Sequence, residues 1–71
     1  MKGAEFVRKV RRLGKMRGVE VRFVAKRGKG SHGTLYYGAT RTVVQNLKKE
    51  LPTGTLHAMI GQLGLTLSDL Q

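Results

Sequence analysis

His32 is one of only two histidines in the chain. It stands in "KRGKGSHGTLYY", Lys26 to Tyr37, where three basic residues, three glycines and two tyrosines share twelve positions. Imidazole titrates close to neutrality, so it can take a proton from a reacting oxygen or return one at ordinary pH. Lys26, Arg27 and Lys29 can hold phosphates and offset charge on a reacting phosphorus. Gly30 and Gly33, on either side of Ser31 and His32, let backbone approach a strand closely, as a supporting turn would. Tyr36, or its neighbour Tyr37, offers a ring on which a base can stack. Arg41, in the next β-prone run, can face the same anion. One reaction needs only such groups, the cleavage of RNA, because the substrate brings its own nucleophile in the ribose 2′-hydroxyl. The competing reading of these residues is a basic turn between two strands, with His32 as one more polar side chain.

Other chemistries fare worse. Glu5, Glu20, Glu50 and Asp69 are scattered, with no pair at metal-ligand spacing, and the two histidines lie twenty-five residues apart. Two-metal phosphoryl transfer needs converging carboxylates, so neither a metal nor another cofactor is expected. His57 follows Leu56 in a helical pattern and reads as a structural residue at the edge of a buried stripe. The absence of cysteine excludes disulfides, thiolate zinc sites and cysteine nucleophiles, and is in keeping with a reducing cytoplasm, the expected location. No apolar run approaches the ~20 residues of a membrane span, and the basic N-terminus has no apolar region behind it of the kind a signal peptide carries.

Seventy-one residues make a single domain, residues 1–71. Such a chain buries only roughly 60% of its unfolded surface, which favours a surface site over a deep pocket. Fourteen Lys and Arg against four Asp and Glu leave a net charge of +10, and the excess is uneven. Eleven of the cations and two of the acids fall in residues 1–30, leaving +9 there and +1 in the rest of the chain. A field this one-sided draws polyanions.

The elements that must carry these residues follow from hydrophobic period. Residues 2–13 read as an amphipathic helix with Phe6, Val7, Val10 and Leu13 on one stripe and Arg8, Lys9, Arg11 and Arg12 opposite. Gly14 is its expected stop. From Val19 the period becomes two: Val19, Val21, Phe23 and Ala25 alternate with Glu20, Arg22 and Lys26, and Val24 interrupts the polar side. Gly28 and Gly30 are expected to end that strand. Thr34–Tyr37 and Thr40–Val44 follow as strands, with a turn at Gly38-Ala39 between them. Connections this short imply an antiparallel meander. Gln45–Pro52 reads as a loop. A second helix runs from Thr53 with Leu56, Met59, Ile60 and Leu63 buried and Gly64 at its end. Thr66 and Asp69 are spaced to cap a last short turn.

Taken together, "MKGAEFVRKVRRLG", "GSH" at Gly30-Ser31-His32 and "PTGTLHAMIGQLGLTLSDL" resemble, in the same order, three segments of HicA-type toxins, the small mRNA interferases of toxin–antitoxin pairs. The resemblance implies a fold like a double-stranded-RNA-binding domain, α-β-β-β-α, with a three-stranded antiparallel sheet packed by two helices. It implies that His32 is the catalytic residue, that mRNA is the substrate, and that a HicB-type antitoxin binds and masks this surface. Gly33 departs from the polar residue or histidine that many relatives carry after the motif histidine. The Lys15–Lys29 stretch is longer and more basic than the family pattern, as an extended first strand or a protruding hairpin arm would be. A non-catalytic RNA-binding module of the same fold is the alternative.

Overall fold

In the computed structural model, which describes the backbone of residues 1–71 and every side chain except that of Lys29, helix α1 spans Gly3–Arg17. Phe6, Val7, Val10 and Leu13 form its buried face. No side chain caps its start. Instead the Gly3 and Ala4 N–H groups, unpaired within the helix, donate to the carbonyls of Lys49 and Leu47 at 3.1 and 2.8 Å. The helix runs one turn beyond the expected stop. Gly14 is buried inside it, because a Cβ there would lie 2.3 Å from the Val21 Cγ2 and 2.7 Å from the Val19 carbonyl. Its lack of a side chain serves close packing, and Gly18, at φ +68°, ends the helix in the left-handed conformation.

Strands β1 (Val21–Lys26), β2 (Lys29–Tyr37) and β3 (Thr40–Val44) pair antiparallel in the order β1-β2-β3. The expected meander and the third strand stand as read from the sequence. Strand β1 starts two residues late, and the second strand starts five residues early. Only Arg27 and Gly28 form the turn between them, so Gly30, Ser31 and Gly33 are strand residues rather than a supporting turn. The Lys15–Lys29 stretch is thereby accounted for: it is the last turn of α1, strand β1 and a tight hairpin.

Helix α2 (Thr53–Gln62) packs along β3, where the Thr42 hydroxyl donates to Gln62 Oε1 at 2.6 Å. It ends at Leu63, and Gly64 follows at φ +72°. The last turn, a 3-10 helix over Leu67–Leu70, forms as its capping residues require: the Thr66 N–H donates to Asp69 Oδ2 at 2.8 Å. The other Asp69 oxygen accepts from Arg17 Nη2 at 2.8 Å, tying this turn to the end of α1. The core joins Phe6, Val7, Val10 and Leu13 of α1 to Leu35, Val44, Leu51, Met59, Ile60, Leu63, Leu65 and Leu70. The architecture is thus α+β, helices against one face of a three-stranded antiparallel sheet. No helix is long and apolar enough to cross a membrane.

Candidate nucleic-acid interface

Register decides which side chains meet. Val21, Phe23, Gly33, Leu35, Tyr37, Thr42 and Val44 alternate onto the face that the helices cover. The complementary positions form the uncovered face, in rows that run across the strands. Arg22, Tyr36 and Arg41 make one row, and Val24, Thr34 and Val43 the next. His32 and Lys26 lie at the far end. Tyr37 packs against the core, so Tyr36 is the tyrosine that faces outward.

His32 sits at an irregularity. Ala25 pairs with Gly33 but Lys26 pairs with Lys29, so Gly30, Ser31 and His32 bulge between two successive pairs. Bulges re-aim side chains and recur beside functional sites. Two contacts hold this one. The Ser31 carbonyl accepts from the Leu47 N–H at 2.9 Å, and Leu47 in turn caps α1 through Ala4. Gly33 lies against β1 so closely that a Cβ would meet the Val24 carbonyl at 2.4 Å and the Phe23 ring at 2.6 Å. Glycine at 33, a departure from the toxin pattern, is required here by packing.

His32 is half-buried in a shallow depression of about 340 Å³ lined also by Val24, Ala25, Lys26, Gly33, Thr34 and Val43. Among the described residues Lys26 is the cation beside it, and no carboxylate and no second imidazole lines the depression. Among the described residues no side-chain hydrogen bond engages His32, and no three of the His, Asp and Glu side chains come together as a metal site would require. Arg27 is exposed in the adjoining turn. Lys29, expected to contact phosphate, lies outside the described side chains.

Arg41 stands apart from His32 along the sheet. It pairs with Tyr36, four residues along β2 from His32, a separation of about 13 Å in extended strand. A second depression, of about 390 Å³, opens there between Thr34, Tyr36, Arg41, Thr42, Val43 and Gln62. Behind Tyr36, the Arg22 guanidinium lies 5.0 Å from the ring centroid, a cation–π contact. Arg22, Val24 and Val43 belong to this face although their residue types alone do not single them out. The period-two alternation of Arg22, Val24 and Lys26 was the signal that put all three on one face.

The surface is basic because its charges are not neutralised. Glu5 pairs with Lys9, Asp69 with Arg17 and Glu50 with the N-terminal ammonium. These three acids lie off the open sheet face; Glu20, the fourth, is exposed just before β1, two residues from Arg22, and among the described residues Arg22, Lys26 and Arg41 have no salt-bridge partner. His57 is exposed on α2 and lines neither sheet depression. A larger depression, about 520 Å³, lies between α1 and β1 and is lined by Arg11, Arg12, Lys15, Val19 and Val21. It has cations but no group that exchanges protons near neutral pH, so it can attract an anion without acting on it. Comparison with protein-family models, curated proteins and solved structures finds no match to the chain.

Proposed function

We propose that the chain is a metal-independent endoribonuclease, an mRNA interferase of the HicA type with a fold like a double-stranded-RNA-binding domain, and that His32 is its catalytic residue. The observation that carries this reading is the setting of His32, at a bulge on an uncovered basic sheet face, half-exposed beside Lys26 in a shallow depression. In the reaction the ribose 2′-oxygen bonds to phosphorus, the phosphorus–5′-oxygen bond breaks, and the products are a 2′,3′-cyclic phosphate and a 5′-hydroxyl. One proton leaves the 2′-hydroxyl and one is delivered to the departing 5′-oxygen. His32 handles one of these transfers and water the other, there being no second imidazole or carboxylate along the depression. Lys26 stabilises charge on the phosphorane, and Arg27 and Lys29 hold the flanking phosphates. A HicB-type antitoxin would neutralise the activity by covering this face.

Induced expression of the intact chain and of His32→Ala, with growth and total RNA followed in each culture, tests the reading. Arrest and message decay for the intact chain only, at equal protein level, is the expected result. Normal growth and intact RNA for both would return the chain to the non-catalytic binding module.

A further inference from the structure

Two depressions adjoin on the sheet, the first on the open face and the second reaching round the β3 edge to Thr42 and Gln62, and they share the residues between them. Thr34 and Val43 line both, His32 and Lys26 belong only to the first, and Tyr36 and Arg41 only to the second. The second has an aromatic ring with the Arg22 guanidinium over one face and, on the neighbouring strand, Arg41, a cation with no acidic partner among the described residues. A ring and a cation side by side match the two parts of a nucleotide, a π-face and a phosphate, and stacking on such a ring does not depend on which base is offered. The ribbon between the depressions is apolar at Val24 and Val43, which are 47% and 48% exposed.

We infer that the Tyr36–Arg41 depression is an anchoring subsite for single-stranded RNA, in which Tyr36 stacks a base and Arg41 takes a phosphate, set at a fixed step from His32. Duplex RNA is unsuited to it, since paired bases leave no π-face free. The inference rests on the reading of His32 as the residue at the scissile bond, and it adds a length requirement. His32 and Tyr36 are about 13 Å apart by strand rise, against about 3.4 Å per nucleotide along a stacked strand. A dinucleoside monophosphate can fill the His32 end alone, whereas a ten-nucleotide strand reaches both.

The test uses the full chain, a fluorescent non-cleavable 2′-O-methyl decamer for binding, and a cleavable decamer and dinucleoside monophosphate for rate. Tyr36→Ala should weaken decamer binding about tenfold with no change in its salt dependence. Arg41→Ala, a change at an exposed position, should lower the slope of log K against log salt by about 0.7. Arg12→Ala, which removes the same charge from α1, should leave that slope unchanged. Both sheet variants should lose kcat/KM on the decamer and keep it on the dinucleoside monophosphate. Equal slopes for Arg41→Ala and Arg12→Ala, equal losses on both substrates, or tighter binding of poly-aspartate than of the decamer would overturn the subsite. Tyr36- and Arg41-dependent binding by a chain that cleaves neither substrate would uphold the subsite and overturn the role of His32, so the two claims fail separately.

Discussion

Val43 and Val44 are neighbours of the same residue type in the same strand, yet one is 48% exposed and the other is fully buried. The contrast extends to the whole sheet. On the helix side Leu35 and Val44 are sealed and Thr42 is 2% exposed; on the other side the same three strands carry Arg22, Lys26, His32, Tyr36 and Arg41. One set of alternate residues makes the fold and the other is free to meet a ligand. His32 lies outside the core cluster, so its replacement is expected to leave the packing intact.

The largest expected effect breaks the comparison at its sharpest point. Val44→Ala should destabilise the domain by about 2–3 kcal/mol, from lost burial and the cavity left behind. Val43→Ala should stay within about 0.5 kcal/mol. Chemical denaturation of both variants checks this, and similar midpoints would mean that the two faces are not distinct. Gly33→Ala comes next, at about 1–3 kcal/mol, since the added carbon collides with β1 backbone and the Phe23 ring. Gly30→Ala meets nothing within 4 Å and should be tolerated. Only Gly33→Ala should also shift the His32 ring resonances in an NMR spectrum.

Thr42→Val tests the polar exception on the covered face. It removes the hydroxyl donor to Gln62 and should cost about 1 kcal/mol in thermal unfolding. The smallest effect is one of pH. The Thr66 N–H and then the Arg17 side chain hold the Asp69 carboxyl below the usual aspartate range. A depressed folded pKa means that the contribution is present above the unfolded value, about 3.9, and is lost as pH falls through the folded one. The Thr66 amide resonance should therefore move in acid as the last turn loosens, and should not do so in Asp69→Asn.

Much of the fold was legible because period and turn chemistry are local. The helix stripes, the meander, β3 and the Thr66–Asp69 cap all follow from spacing within a few residues. The first half of β2 was not legible: Lys29-Gly30-Ser31-His32 has loop composition, and what keeps it in the sheet is the pairs at its two ends, Lys26–Lys29 and Ala25–Gly33, and the distant Leu47 N–H. Gly14 misled for a similar reason, since the chain it packs against is Val19–Val21, beyond the helix. The capping of α1 by Leu47 and Lys49 leaves no sequence signature, being made by backbone groups more than forty residues away. At the candidate site, the residue types around His32 were legible, but the separation of Arg41 from His32 depends on register. Val24, which looked like a break in the polar side, marks the middle of the open face.

The most direct test of the central claim is cleavage of a single-stranded RNA by the purified chain in the presence of EDTA, with product ends identified and His32→Ala run alongside. The account predicts 2′,3′-cyclic phosphate and 5′-hydroxyl ends from the intact chain. It predicts no cleavage by His32→Ala, whose melting temperature and RNA affinity stay close to those of the intact chain. Undiminished cleavage by His32→Ala, or loss of its fold and binding together with its activity, would contradict it.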